Sequence, residues 1–448
     1  MTKYDINELY DHTQEPFHLK HLLTDLGERT VYDAAAQCNR CGYCETVCPT
    51  YMLTGRETIS ARGRNQFLRL LIEGKTRDID SARESFSTCL LCGACSSVCY
   101  AKVPTPDLVL EGRRSRDGYG RGFAARLGVD LLLNRRGVFE LALKAGYLLK
   151  RLGLAALAGK LGFYDFLGLP ALGAAQDALK HAPLKFLRKI LLKDPALKPE
   201  GKKEAAWAYF APCGPNYVFT EVGAATVALL KRFLGPGVFT DNFCCGLLAY
   251  NYGRVTEARE FAKKNILRFE ELKKALGGFT VVGDCSSCVA FMKSYEQLFT
   301  EDEEWRPRAK AFAEAVKDIL EALPTDKIKG RGPADGETVT YHDSCRACHG
   351  QGIRSEPRET LKKIAGKAFV ELPESDWCCG GAGAYAFTQT ALSERIADRK
   401  IRNIASTQAG TVLAGATSCL LQLNAGLKKK YPSARAVHYS VYMDNLTR

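Results

Sequence analysis

Hydrophobic residues recur along this chain in two rhythms. Four short, nearly unbroken apolar runs, AAWAYFAPC (205–213), FTVVGDC (279–285), ETVTYHDSC (337–345) and TVLAGATSC (411–419), read as strands, and each ends on a cysteine. Between them, ATVALLKRFL and LSERIADRKIRNIAS space their apolar residues at helical intervals. Alternation of strand and helix predicts open α/β sheets, which place ligands just beyond the carboxyl ends of their strands. The cysteines fall at those ends. Further upstream, TISARGRNQFLRLLIEG (58–74) has helical periodicity and predicts a helical N-terminal part.

The cysteines reveal a duplication. Cys213 and Cys345 are 132 residues apart, Cys244/Cys245 and Cys378/Cys379 are 134 apart, and Cys285 and Cys419 are 134 apart. The first repeat supplies five thiols: Cys213, Cys244, Cys245, Cys285 and Cys288. In the second, the position equivalent to Cys288 is Gln422, leaving Cys345, Cys378, Cys379 and Cys419, with Cys348 as an extra thiol nearby. Five soft donors suit an iron-sulfur cluster better than zinc, which four saturate. The second set leaves three options open: a four-ligand cluster, a structural zinc or no metal. The glycines of CCGGAGAY (Gly380, Gly381, Gly383) follow a cysteine pair, and their use is close backbone approach to a metal site rather than dinucleotide binding. His342, Asp343 and His349 flank the second set, as proton-carrying or ligand-supporting groups or as ordinary hydrogen-bonded residues. His438 reads as a packed residue of the last domain.

A different pattern occupies the N-terminal part. Cys38, Cys41, Cys44 and Cys48 stand at the spacing C-x2-C-x2-C-x3-C and are followed by Pro49; the spacing returns at Cys89, Cys92, Cys95 and Cys99, with Tyr100 in place of the proline. Three thiolates two residues apart wrap one cluster while the fourth reaches a second. This predicts two 4Fe-4S clusters, one on Cys38, Cys41, Cys44 and Cys99, the other on Cys89, Cys92, Cys95 and Cys48. Zinc sites instead pair two C-x2-C knuckles. Gly42 and Gly93 suit tight backbone approach, and Pro49 and Pro104 end the ligand loops.

Composition narrows the class. Eighteen cysteines in 448 residues, behind an N-terminus that reads as neither secretory signal nor transit peptide, argue for metal or redox use and a cytoplasmic location. No stretch holds the roughly 18 uninterrupted apolar residues of a spanning helix. Most of the net charge of +13 falls within residues 111 to 204, where Leu131, Leu132, Leu133, Val138, Leu141, Leu143, Leu148, Leu149, Leu152 and Leu154 alternate with Arg135, Arg136, Lys144, Lys150 and Arg151. Such amphipathic helices either lie on anionic lipid or an acidic partner, which would put the chain on the inner face of the cell membrane, or pack their apolar stripe on the chain's own domains. A nucleic-acid-binding motif is absent, and no hydrolytic triad or phosphate loop stands out.

Two ferredoxin motifs followed by two CCG repeats, over nearly the whole chain, resemble the iron-sulfur subunit of glycolate oxidase. FCCGLLAYNYG, GDCSSCVAFMKSY, YHDSCRACHGQGIRSEP and CCGGAGAYAF are also similar to the cysteine-rich protein of bacterial lactate utilisation. More distantly, the repeats resemble the catalytic subunit of heterodisulfide reductase, whose complete CCG repeats bind non-cubane 4Fe-4S clusters. The resemblance implies an α+β multidomain fold: a helical two-cluster ferredoxin domain (1–112), a basic amphipathic connector (113–204) and two pseudo-twofold-related α/β CCG domains (205–330 and 331–448). It implies a further 4Fe-4S cluster, non-cubane as in the reductase, on Cys213, Cys244, Cys245, Cys285 and Cys288. It also implies an electron-transfer subunit that takes electrons from an FAD-containing subunit oxidising a 2-hydroxy acid (glycolate or D-lactate) and passes them to a quinone or another acceptor. The rival implication is a heterodisulfide-reductase-like thiol/disulfide or quinone oxidoreductase with a catalytic non-cubane cluster. No catalytic residue is assigned.

Overall fold

The computed structural model describes residues 19–76, 78–114, 131, 135–162, 183–383 and 385–448. It begins with a short antiparallel hairpin, β1 (His21–Thr24) and β2 (Gly27–Thr30). Six helices follow: α1 (Val31–Ala36), α2 (Pro49–Thr54), α3 (Ala61–Ile72), α4 (Ile79–Ser87), α5 (Ala94–Ser97) and α6 (Thr105–Arg114). The periodic stretch over 58–74 is α3, started by Ser60, whose hydroxyl accepts from the Gly63 N–H. Leu68, Ala82, Phe86, Leu108 and Val109 are buried in the core of this part. The hairpin is outside the sequence expectation, because HLLT and GERT are too short and too polar to show an alternation.

The connector contributes α7 (Arg136–Arg151), α8 (Leu154–Lys160) and α9 (Leu187–Leu191); Leu132 and Leu133 lie outside the described residues. Helix α7 has two apolar sides. Its buried residues are Glu140 and Tyr147. Glu140 pairs with Arg188 at 2.7 Å and Lys189 at 3.0 Å, and the Tyr147 hydroxyl donates to the Tyr217 carbonyl. Phe139, Leu143 and Tyr147 pack on Phe186 and Tyr217, while Leu141, 70% exposed, and Leu152, at the helix end and 64% exposed, face outward. Of the two alternatives read from the sequence, packing on the chain's own domains holds for Phe139, Leu143 and Tyr147 and not for the outward leucines. Helix α9 does pack inward, through Leu187 and Leu191. Among the described residues, no helix is long and apolar enough to cross a membrane.

Each repeat is a small parallel sheet covered by helices. The first contains β3 (Trp207–Phe210), α10 (Cys213–Tyr217), α11 (Thr220–Leu234), β4 (Gly237–Phe239), α12 (Leu247–Asn251), α13 (Val255–Leu276), β5 (Thr280–Gly283), α14 (Ser286–Lys293), α15 (Trp305–Ala315) and β6 (Val316–Asp318), with strand order β4-β3-β5-β6. The second, after α16 (Ile319–Ala322), contains β7 (Val339–His342), α17 (Cys345–Cys348), α18 (Ser355–Ala365), α19 (Tyr385–Thr388), α20 (Thr390–Ser406), β8 (Thr411–Ala414), α21 (Thr417–Lys430), β9 (Arg435–His438) and α22 (Tyr439–Thr447), in the order β7-β8-β9. A single parallel bridge from Val339 to Phe369 stands where β4 pairs with β3 in the first repeat. The four apolar runs are β3, β5, β7 and β8, with every residue of β3, β7 and β8 buried. Strands β4, β6 and β9, of three or four residues, carry too little pattern to be read beforehand.

The repeats share one seam. The Ser286 N–H and hydroxyl both donate to the Gly415 carbonyl, and the Thr226 hydroxyl donates to Ser440. His438 is buried at the start of α22, where Nδ1 accepts from the Ser440 N–H; burial pushes its pKa down to about 4, so it is a neutral cap.

Close packing around β3 requires a glycine at position 223. A Cβ on Gly223 would lie 2.0 Å from Leu187 Cδ2 and 2.6 Å from the Tyr209 hydroxyl, whereas one on Gly278 would meet nothing within 4 Å. Gly223→Ala is therefore expected to cost about 1–3 kcal/mol by overpacking, read as a lower denaturation midpoint, with Gly278→Ala near neutral. Equal midpoints for the two variants would refute this account of how α9 docks on the first repeat.

Candidate functional site

All eighteen cysteines are free thiols, and they fall into a few clusters. In the N-terminal part the two ligand loops are built alike. Arg40 and Leu91 have φ of 58° and 55°, and Gly42 and Gly93 have φ of 80° and 83°. These left-handed residues bend the chain between successive cysteines, and only glycine adopts that region freely. Burial and the neighbouring Cys38, Cys48 and Cys99 push the Cys44 thiol up to about 12. Burial raises Cys95 as well, aided by Cys89 and Cys48. Cys44 is thus surrounded by Cys38, Cys48 and Cys99, and Cys95 by Cys89, Cys48 and Cys44, so the two ligand loops share one neighbourhood of thiols, with Cys41 exposed. A pocket is walled by Cys48, Cys89, Cys92, Cys95, Thr50 and Arg64. That donor set fits an iron-sulfur cluster.

The first repeat brings its five thiols to the carboxyl ends of β3 and β5. Cys213 opens α10, Cys244 and Cys245 precede α12 across Gly246 (φ 91°), and Cys285 caps α14 with Cys288 in its first turn. They form a continuous series of sulfur contacts, Cys213 to Cys244 to Cys245 to Cys288 to Cys285. Hydrogen bonds from Cys213 and Cys245 hold the Cys244 thiol well below its usual range, and the Gly246 N–H points at its sulfur from 3.5 Å. The contact with Cys288 takes Cys285 down to about 6 despite burial. Thiolates stabilised this way are the form that binds metal. An open cleft of about 320 Å³ exposes Cys213 and Cys244 beside Arg136, Asn216 and Tyr217.

In the second repeat the series is Cys345, Cys378, Cys379 and Cys419. The Gly380 and Gly381 N–H groups donate to the sulfurs of Cys378 (3.4 Å) and Cys379 (3.5 Å). Gly380, with φ of 84°, could not carry a side chain, since a Cβ would sit 2.6 Å from the Ser393 carbonyl. Gln422 is turned away: its Nε2 donates to the Ser393 hydroxyl, which in turn donates to the Gly380 carbonyl, so it buttresses the cysteine turn. The Cys348 thiol is directed to the Cys345 carbonyl at 3.8 Å and stays outside the series. His342 ends β7 fully buried, and a ring nitrogen, Cys379 Sγ and Cys419 Sγ all lie within 4.8 Å of one another. Asp343 is spent in a two-point ion pair with Arg358. His349 reaches the N-terminal part, where Nδ1 lies 2.9 Å from the Ser97 hydroxyl, and burial and Arg354 keep its pKa low.

The second repeat is the one that meets the N-terminal loops. The charge of Cys345 adds to burial in raising Cys92, a Cβ on Gly93 would touch His349 Cβ at 3.2 Å, and the Tyr385 hydroxyl donates to the Thr88 carbonyl. Cys92 and Cys345 thus bring two sulfur clusters within electrostatic reach of each other.

Cations whose place beside a thiol was missed in the sequence accompany three of the sulfur sites. Arg64, 2% exposed, sits 3.7 Å from Cys48 Sγ and donates to Ser85, Thr50 and Thr88. Lys400 is fully buried on the Glu374 and Ser375 carbonyls beside Cys379, and burial draws its pKa down to about 8. Arg136 faces Cys213 and Cys244. Both Arg64 and Lys400 lie in stretches legible only as amphipathic helix, with no sign of which charge turns inward.

Similarity to known proteins agrees with this geometry. A family model of a 4Fe-4S dicluster domain matches residues 34–103, and one of a cysteine-rich domain matches twice, at 207–293 and 339–424. The chain is 30% identical over 441 residues to the "Probable glycolate oxidase iron-sulfur subunit" of Bacillus subtilis (strain 168), covering 94% of this chain and 96% of that one. It is 26% identical to the glycolate oxidase iron-sulfur subunit of Escherichia coli (strain K12), covering 86% and 89%. Lactate utilization protein A of Geobacillus sp. (strain WCH70) matches at 30% identity over 53% of this chain and 98% of its own length. A dicluster domain joined to two cysteine-rich domains, aligned from end to end with such relatives, makes this chain an oxidoreductase component that belongs to the family of glycolate oxidase iron-sulfur subunits.

Proposed function

We propose that this chain is the electron-conducting subunit of a 2-hydroxy-acid dehydrogenase complex, receiving electrons from an FAD-containing subunit that oxidises glycolate or D-lactate and delivering them to a quinone or another acceptor. Iron-sulfur clusters, when bound, supply one-electron transfer. The residues proposed to hold them are Cys38, Cys41, Cys44 and Cys99 for one 4Fe-4S cluster and Cys48, Cys89, Cys92 and Cys95 for another. A third, of non-cubane type, is proposed on Cys213, Cys244, Cys245, Cys285 and Cys288, and a metal on Cys345, Cys378, Cys379 and Cys419. The observation that carries the reading is that Cys92 and Cys345 pack on the same apolar cluster and lie within electrostatic reach, which brings the N-terminal thiols close to those of the second repeat. Arg64 and Lys400 offset the negative charge that thiolates bring into a low-dielectric interior. The domain limits proposed are 1–112, 113–204, 205–330 and 331–448.

The connector is proposed to rest on anionic lipid. Helices α7 and α8 turn Leu141, Leu148, Leu149, Leu152 and Leu157 outward on a basic segment whose acidic residue, Glu140, is buried. Outward leucines among lysines and arginines suit the headgroup boundary. A heterodisulfide-type activity is the second reading, favoured by the cleft that opens onto Cys213 and Cys244.

Anaerobic affinity purification from the native host, followed by dye reduction with D-lactate, L-lactate and glycolate, tests the main reading. A co-purifying flavoprotein with 2-hydroxy-acid activity is the expected result; a disulfide-reducing partner and no dye reduction would transfer the case to the second reading. Changing Lys144, Lys150 and Arg151 to glutamate is expected to release the chain from anionic vesicles in a flotation assay, and unaltered flotation would exclude lipid docking. Arg64→Gln removes one buried positive charge beside Cys48, so the more negative, reduced state loses stabilisation. The potential of one cluster should fall by roughly 50–100 mV in an EPR-monitored titration, and unshifted potentials would count against Arg64 as its electrostatic partner.

A further inference from the structure

The two repeats differ at one ligand position, and the difference is balanced at another. Applying the 134-residue offset, Cys288 of the first repeat becomes Gln422 in the second; applying the 132-residue offset of the strands that end on Cys213 and Cys345, Phe210 becomes His342. The first repeat thus has five thiols and an apolar phenyl ring at the end of β3. The second has four thiols and an imidazole at the end of β7. A donor lost from one element is matched by a donor gained on the element that faces the same cluster.

The placement of His342 is what a ligand requires and what an ordinary core histidine avoids. It is 0% exposed, and neither Nδ1 nor Nε2 has a partner at ordinary hydrogen-bond distance, the Cys379 thiol being the group on which the ring acts. Leaving a buried polar group unpaired costs about 1–3 kcal/mol, and native proteins seldom tolerate it. A ring nitrogen lies instead within 4.8 Å of both Cys379 Sγ and Cys419 Sγ, which are themselves in contact. Gln422 has not stayed behind as an amide ligand, since its Nε2 is committed to Ser393. Imidazole is an established ligand of iron in clusters, where it replaces cysteine thiolate.

We propose that His342 is a metal ligand, completing a five-donor iron-sulfur site with Cys345, Cys378, Cys379 and Cys419 in the second repeat. This rests on the reading of the chain as a cluster-bearing electron carrier. It adds that the second repeat is a loaded centre whose ligand field differs from that of the first. A neutral imidazole in place of a thiolate removes one negative charge, so this centre is easier to reduce than its five-thiolate counterpart. The centre stands next to Cys92.

The test uses the full chain purified anaerobically, uniformly unlabelled or with 15N-histidine, as wild type, His342→Ala and His342→Cys. Iron, sulfide and zinc are counted, and pulsed EPR at each cluster signal reads nitrogen hyperfine coupling. The expected result is one cluster signal with the strong coupling of a directly bound imidazole, responsive to 15N-histidine and absent from both variants. His342→Cys should keep the iron content of wild type, which shows that the fold and the other clusters survive. Coupling absent from every signal of the wild type, coupling that persists in His342→Ala, or zinc in place of iron in the second repeat would each overturn the proposal. Failure of the underlying reading has a separate signature: fewer than roughly eight irons per chain, irrespective of residue 342.

Discussion

Negative charge has to be accommodated in the interior of this protein, and much of its architecture follows from that. Crowded thiols at the ends of buried strands cannot ionise without compensation, because desolvation and mutual repulsion raise their pKa, as they do for Cys44 and Cys95. Three devices recur beside the sulfurs. Backbone N–H groups of glycine turns point at Cys244, Cys378 and Cys379. Helix starts lie against Cys213, Cys285, Cys345 and Cys419. Three of the sites have a cation beside them, Arg64 and Lys400 buried and Arg136 half-buried. Each device fixes backbone as well as charge, so the clusters and the fold specify one another.

The duplication explains where the clusters lie relative to each other. Helix α10 packs against α21 and α14 against α17, so each repeat's first cysteine helix meets the other repeat's last one. Cys285 accordingly lies 3.7 Å from the Thr417 hydroxyl, one turn from Cys419. Both sulfur clusters therefore face the seam between the sheets, and the N-terminal part, packed over α12 by Arg114 on the Tyr250 ring, reaches the second repeat through Ser97 and Tyr385. Asymmetry enters through that contact. The repeat that has exchanged a thiol for an amide at Gln422 is the one that receives the N-terminal loops, and the complete repeat is the one that opens to the outside through its cleft.

Most of this fold was legible from the chain. The apolar runs before Cys213, Cys285, Cys345 and Cys419 are β3, β5, β7 and β8, because strands buried on both faces advertise themselves as unbroken hydrophobic runs. The cysteine offsets disclosed the duplication. What stayed hidden was short or directional. Strands β4, β6 and β9 take their stability from the neighbours they pair with rather than from any pattern of their own. Arg64 and Lys400 are indistinguishable in sequence from solvent-facing charges on α3 and α20, and only the packed helix shows which face turns inward. His342 was visible beside Cys345, but its orphaned nitrogens are a property of the folded surroundings.

Helix α7 carries the last step, since its two faces do different things. Arg136 at its start reaches Asp241 and the Asn242 carbonyl at the edge of the first repeat's cleft, while Glu140 one turn later is clamped by Arg188, which also grips Asp241. These groups are mostly buried, so removing one would strand the others without compensation, and the helix is held rigidly with its polar face on the cleft. Phe139, Leu143 and Tyr147 follow it inward, which leaves Leu141, Leu148 and Leu152 facing outward. An α-helix with side chains is about 10–12 Å across, so whatever covers Leu141 and Leu148 lies about one helix diameter from Cys213 and Cys244. Under the proposed function, a lipid surface over these leucines would lie across α7 from the thiols of the first repeat.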